Sequence, residues 1–418
     1  VDAANNKAIE NARLVNITIL AEYIRGFAWS PTAWAAHLAH ALAKQGHHVT
    51  IACDGLENPA MFASLDLIVR RPHRTLRGSD PLGFHNWTTT LRQPARTSTH
   101  APAHATISLT PLAPGDIWMP LNSGTLTELA AQLRAHTPLS ALLEVLARPW
   151  LPTALLAESR ARRNHRDSSP PILARLGQLE SRGQVRALGY ASRFDPPNPD
   201  QRLQLRTQTR DLLGISPDRP VVLLSAVHAK RPGLSTLLAG FASLRRRRAV
   251  NPPLLLVMGR HAHHAHRAAD HANCTEGLRF LGGTARADAA FAAADLAVAP
   301  WSAPPSTLPS TFPFAFPSMF TVSSTGRFIA DALRLGVPVL ATRHAPGAEL
   351  IEPAHFGTPE LGTILEHPTA HQWQETLGDY LTRERTRAAA HAAQDVSGVV
   401  SMAGLVGRIE TILGELRR

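Results

Sequence analysis

Short apolar runs rich in β-branched residues alternate along the chain with longer stretches whose apolar residues recur at helical spacing. Leu14 to Leu20 (LVNITIL) has strand length and composition. A loop from Ala21 to Trp29 follows and contains Gly26. Ser30-Pro31 then reads as a helix N-cap with proline at the first helical position. Trp34, Leu38, Ala41 and Leu42 fall on one face of that helix, Gly46 stops it, and His48 to Cys53 resumes as a strand. This order is a βαβ unit and predicts a parallel sheet.

The same grammar returns near residue 220. Val221 to Val227 is a predicted strand and His228 to Gly233 a loop. Leu234, Leu237, Leu238, Phe241 and Leu244 then mark a helix face. Further strands are predicted at Leu254 to Met258, ending at Gly259, and at Leu278 to Leu281, Leu296 to Ala299 and Val337 to Ala341. Helices are predicted through Phe291 and from Arg327 to Leu335. The join should lie in the Pro- and Asp-rich stretch from Ala191 to Asp218. We assign residues 1–195 to one α/β domain and 196–396 to a second. Residues 397–418 form a closing helix, carried by the apolar period from Val399 to Leu416. Arg70 to Pro114, rich in Thr, Arg, Pro and His, shows only weak strand patterns.

Composition narrows the class. At 418 residues, 44% hydrophobic and 18% charged, the chain has material for more than one core, and global disorder is excluded. Lys and Arg number 43 against 32 Asp and Glu, a net charge of +11 that favours an anionic partner. Two cysteines, Cys53 and Cys274, exclude a disulfide framework and fit a reducing compartment. No apolar run has the length of a membrane span, and Val1 to Arg13 lacks the build of a signal peptide. The expectation is a cytoplasmic protein, peripheral on the inner face of the cell membrane if its basic surface engages lipid.

Several segments are candidates for chemistry. In Ser323 to Thr342 (SSTGRFIADALRLGVPVLAT), a turn containing Gly326 opens onto a helix that feeds a buried strand. N–H groups at such a helix start suit a phosphate, and Asp331, one turn in, suits ribose hydroxyls; an ordinary αβ unit with a solvated Asp fits the same spacing. Arg343 to Glu349, with His344 and Gly347, reads as a ligand-side loop or a simple turn. His261, His263, His264, His266 and His271 cluster without a cysteine pair and with Asp270 as the sole carboxylate among them. A solvated helix is favoured there, and no metal is assigned. Arg245 to Arg248 ends a helix and reads as a solvated terminus or a contact for anionic lipid. Nucleic acid is disfavoured, because aromatics are 6% and none interleave with that run. Ser302 to Phe320, rich in Pro, Ser, Thr and Phe, reads as a packed extended loop or a flap over a site.

From about residue 190 to 352 these stretches resemble, in order, the C-terminal domain of glycosyltransferase family 4, the glycosyltransferases group 1. RDLLGISPDRPVVLLSAV resembles its linker and first strand, and KRPGLSTLLAGFASL its phosphate loop and helix. LLLVMG, LRFLGG and AADLAVAP resemble the next strands, and GRFIADALRLGVPVLATRHAPGAELIE the nucleotide-sugar motif. The N-terminal βαβ, with HHVTIACD, and GDIWMPLNSGT at 115–125 resemble the family's other domain. The resemblance implies the GT-B architecture: two Rossmann-like domains facing a cleft, with the last helix crossing back to the first. It implies a retaining, metal-independent, hexosyltransferase-like enzyme of cell-envelope polysaccharide type. The sugar would move from a UDP- or GDP-linked donor, with no cofactor, to a glycan or lipid-linked acceptor. Lys230, Arg231, Ser323, Thr325, Gly326, Arg327 and Asp331 would line the donor site, with Gly259, His344 and Gly347 in donor-side loops. Gly26, Asn122 and Gly124 would lie on the acceptor side.

The chain departs from the family at marked points. Ser323 stands where the family's first glutamate works near the transferred sugar, and Asp331 where its second binds ribose. Pro232 replaces the phosphate-loop lysine, with Lys230 and Arg231 beside it, and Ala226 replaces a glycine. The histidine common in the N-terminal active-site loop is not evident in Met119 to Gly124. The alternative is therefore a degenerate GT-B protein that binds a nucleotide or partner without turnover. A GT-B sugar-nucleotide epimerase is opposed by the group 1 helix motif.

Overall fold

The computed structural model describes residues 15–24, 34–56, 59–71, 80–91, 104–110, 115–119, 156–157, 160, 172–176, 185–195, 198–225, 233–259, 262–282, 287–300, 324–343, 345, 347–352, 361–382, 388, 398 and 400–416. The statements that follow concern these residues. The chain divides into two compact units. The first runs to Gly189 and resumes at Val406; the second begins at Tyr190 and ends at Leu405.

The first unit carries a parallel sheet of seven strands: β1 (Asn16–Ile24), β2 (His48–Leu56), β3 (Asp66–Val69), β4 (His104–Ser108), β5 (Ile117–Trp118), β6 (Ile172–Leu176) and β7 (Val185–Gly189), in the order β3-β2-β1-β4-β5-β6-β7. Helix α1 (Trp34–Lys44) buries Trp34, Leu38 and Leu42 and ends where Gly46 adopts φ 91°. Helix α2 (Pro81–Leu91) sets Phe84 against Leu20 and Ala52.

The second unit has α3 (Pro199–Leu212), β8 (Val221–Ser225), α4 (Leu234–Arg247), β9 (Leu254–Met258), α5 (Ala262–His271), β10 (Leu278–Gly282), α6 (Ala287–Ala293), β11 (Leu296–Ala299), α7 (Ser324–Arg334), β12 (Val339–Thr342), β13 (Gly362–Leu365) and α8 (Ala370–Tyr380). Its parallel sheet has the order β10-β9-β8-β11-β12-β13. β8, β9, β11 and β12 are buried at every position, which explains their unbroken apolar runs: helices cover both faces. Leu237, Leu238 and Phe241 of α4 and Trp373, Leu377 and Tyr380 of α8 share one core cluster with these strands. Capping boxes open α3 at Asn198 and α8 at Thr369, each satisfied by a glutamine three residues on.

Partly buried ion pairs tie α3 to this sheet. Asp295, just before β11, accepts from Arg206 Nη2 (2.5 Å), Arg210 Nη2 (2.9 Å) and the Val221 N–H (2.7 Å). Helix α9 (Met402–Leu416) closes the chain. Its final turns belong to the first unit, where Arg408 Nε donates to the Leu188 carbonyl (2.8 Å) and Glu410 meets His47 Nε2 (3.3 Å).

Candidate functional site

Strand order in the second sheet reverses between β8 and β11. In parallel α/β sheets, ligands bind outside the carboxyl ends of the strands at such a reversal. The chain leaving β8 runs through 226–232, and the chain leaving β11 runs through 301–323 into α7. Lys230, Arg231 and Ser323 belong to these segments and lie outside the described residues. So do Gly26, Asn122, Gly124, His344 and the 302–320 stretch. Thr325, Gly326, Arg327, Asp331, Gly259 and Gly347 are described.

Helix α7 begins at Ser324, three residues earlier than its apolar pattern suggests. Gly326 is therefore not a turn residue; it lies in the first helical turn. Its lack of a side chain answers a packing demand. A β-carbon there would sit 2.1 Å from Cε1 of Tyr190. On another side, a β-carbon at Gly347 would sit 2.7 Å from the Gly326 Cα, and Gly347 itself adopts φ 94°. Glu349 locks this contact: its Oε1 accepts from the Tyr190 hydroxyl (2.9 Å) and its Oε2 from the Gly347 N–H (3.1 Å). The first turn of α7 is thus held between Tyr190 and the loop after β12, which brings two sequence-selected glycines together.

Asp331 corrects the sequence reading most. The resemblance implies that its carboxyl binds ribose; it is 3% exposed and already engaged within the protein. Oδ1 accepts from the Ser192 hydroxyl at 2.7 Å, and the Arg193 N–H donates to the same carboxyl. A buried carboxyl requires such partners, and the segment following β7 supplies them. Burial pushes the Asp331 pKa up, against the pull of Arg193, the Ser192 hydrogen bond and Arg327. Two guanidiniums, Arg193 and Arg327, therefore face this one carboxyl group. Burial, opposed by the charge of Asp331 and aided by that of Arg193, lowers the pKa of Arg327 to about 10. Arg327 keeps some surface, but its Nε is sealed from solvent without a hydrogen-bond partner. Asp288 acts on Arg193 as well. N–H groups with a guanidinium at the first turn of a helix suit an anion. Thr325, in the same turn, is fully buried.

Ser192, Arg193 and Tyr190 escaped the sequence reading, which placed Glu349 in a loop without a role of its own. They act through contacts across many residues, and the available hint was Tyr190, Ser192 and Arg193 clustered at the start of the Pro-rich join. Gly259 ends β9 with φ 120°, its N–H bonded to the Gly282 carbonyl at 2.7 Å.

The four-arginine run also differs from a solvated terminus. Arg245 donates to the Pro253 carbonyl and Arg248 to the Gly378 carbonyl (2.8 Å), leaving Arg246 and Arg247 exposed. On α5, His266 and Asp270 form an exposed pair at 3.5 Å. Among the described residues, no three His, Cys, Asp or Glu side chains stand together as a metal site. No described helix is long and apolar enough to cross a membrane.

No protein-family model matches the chain, and no curated protein matches its sequence. Solved structures do. WaaG, a glycosyltransferase involved in lipopolysaccharide biosynthesis, aligns with TM-score 0.64 at 18% identity, over 95% of this chain and 99% of its own. Anabaena HepE, crystallised with UDP and glucose, aligns with TM-score 0.55 at 13% identity, over 96% and 99%. Sucrose-phosphate synthase from Thermosynechococcus elongatus aligns with TM-score 0.53 at 15% identity, over 96% and 99%. At these identities the likeness speaks to fold, and it spans nearly the whole of each chain. Two α/β units, each on a wholly parallel sheet, and this full-length likeness lead to one conclusion: the chain has the two-domain fold of the GT-B glycosyltransferases.

Proposed function

We propose that this protein transfers a sugar from a nucleotide-sugar donor to a glycan or lipid-linked acceptor, with retention of configuration and without a metal. The observation that carries the reading is Arg327: a guanidinium whose Nε is sealed from solvent without a hydrogen-bond partner, in the first turn of helix α7. The glycosyltransferases that share the fold support it, one of them holding UDP and glucose.

In this reading the donor diphosphate lies against the N–H groups of the first turn of α7 and against Arg327. On the same reading, Lys230 and Arg231 supply further positive charge to the diphosphate. As the bond from the anomeric carbon to the diphosphate breaks, negative charge grows on the leaving oxygen. Fixed cations and helix N–H groups stabilise that charge without reorganising. Arg193 adds positive potential from the segment that enters the unit. Asp331 holds Ser192 and Arg193 in place, which replaces the ribose role first assigned to it. The donor is UDP- or GDP-linked, and the exposed Arg246 and Arg247 suit an anionic membrane surface.

A second reading is binding without turnover. Two features favour it: Ser323 in place of the family's glutamate, and the engagement of Asp331 with Ser192. Incubation with UDP- and GDP-sugars decides between them. Release of UDP or GDP, with sugar delivered to water or acceptor, supports the enzyme. Saturable binding with no release supports the binding protein.

A further inference from the structure

The inference rests on the glycosyl-transfer reading and concerns the first unit alone. There the strand order reverses between β1 and β4, so the ligand crevice of this sheet lies beyond their carboxyl ends. β1 pairs with β4 from Asn16↔His104 to Leu20↔Ser108, and with β2 as far as Ile24↔Leu56. The Leu109 N–H still reaches the Leu20 carbonyl (2.9 Å). Glu22 lies just past that point, on the stretch of β1 that β4 no longer covers.

Ile17, Ile19, Leu20 and Ala21 of the same strand are buried and apolar, whereas Glu22 keeps part of its surface. A carboxylate at the end of such a strand is costly unless it is hydrogen-bonded. The Thr110 hydroxyl, leaving β4, donates to Glu22 Oε1 at 2.6 Å. Thr110 is itself fixed, at 1% exposure. Its carbonyl accepts from Trp118 Nε1 (2.8 Å) and Ser108 Oγ (3.2 Å), and its N–H donates to Ser108 Oγ (3.4 Å). The pairs Ala21↔Cys53 and Tyr23↔Gly55 set Glu22 level with Asp54, whose carboxylate is clamped by Arg71 Nε (3.0 Å) and Arg70 Nη1 (3.3 Å). Asp54 is committed to those arginines at 1% exposure, and Glu22 is the accessible carboxylate of the two.

We propose that Glu22, oriented by Thr110, binds a hydroxyl group of the acceptor sugar. A carboxylate accepts at about four lone-pair sites, and hydroxyl-to-carboxylate bonds are among the stronger hydrogen bonds. Glu22 thereby selects a polyol and aims one of its hydroxyls; Thr110 is a positioning residue.

The test is saturation-transfer NMR of the full chain with methyl glycosides of glucose, galactose, mannose and N-acetylglucosamine, beside calorimetric titration of UDP. Wild type should give a saturable signal with at least one glycoside. Glu22→Gln should weaken that affinity at least tenfold while UDP affinity stays unchanged. Thr110→Val should weaken it less, and Thr110→Ser should restore it. If Glu22→Gln fails to fold by circular dichroism, the Thr110 pair carries the test. No saturable signal from wild type, or equal affinity in Glu22→Gln and Thr110→Val, overturns the proposal. Glycoside binding without UDP binding overturns the donor reading and leaves Glu22 standing.

Discussion

The Ser192 hydroxyl donates to Asp331 Oδ1 across 2.7 Å, joining residues 139 positions apart. That bond anchors the first residues of the second unit to helix α7, and the donor site proposed at that helix depends on it.

Asp331→Ala should destabilise the protein by about 1–3 kcal/mol, because it strands a buried hydroxyl and a buried N–H. Urea denaturation measures this. The raised pKa of Asp331 also sets a pH slope. The folded state holds the proton more tightly than the unfolded one. Its contribution is therefore full below the ordinary carboxyl pKa and is lost as pH rises through the folded value. Asp331→Asn should remove that slope from a plot of urea midpoint against pH.

Arg327→Met should stabilise the ligand-free protein by about 1–3 kcal/mol, since it removes a sealed Nε donor that has no hydrogen-bond partner. The same change should weaken nucleotide diphosphate binding. A melting-temperature rise paired with lost affinity is the signature of a residue kept for a ligand.

Gly326→Ala should cost about 1–3 kcal/mol, because its β-carbon overlaps the Tyr190 ring. Gly326→Ala combined with Tyr190→Ala should cost less than the sum of the two single changes. Additive costs in a double-mutant cycle would contradict the contact.

Both cysteines should be inert to Ellman's reagent at pH 8 in the folded protein. Burial, with Asp54 nearby, pushes the Cys53 thiol up to about 12, and burial pushes Cys274 up to about 11. Both should react once urea unfolds the chain.

The buried strands were legible because their burial is continuous. Leu254–Met258 and Leu296–Ala299 are the apolar runs themselves. β1 runs past its predicted end at Leu20 to Ile24, since pairing with β2 carries it through the polar Glu22. Helix α2 was illegible for a local reason. Thr88, Thr89 and Thr90 are poor helix formers, and each hydroxyl turns back to the carbonyl three residues earlier. Gly326 was misread because glycine reads as turn punctuation, and the Tyr190 ring that requires it is distant in sequence. The burial of Asp331 was hidden for the same reason: nothing beside it announces Ser192. Local pattern thus located the helix and its charged residues, and long-range contacts decided what each residue does.

Calorimetric titration of UDP and GDP into wild type and Arg327→Met tests the central claim most directly. The account predicts saturable binding of one diphosphate to wild type, and loss of about 1.5–3 kcal/mol of affinity in Arg327→Met, the range for a charged hydrogen bond. The free nucleoside should bind both forms alike. No binding of either diphosphate to a folded wild type, or equal affinity in the two forms, would contradict the donor site at α7.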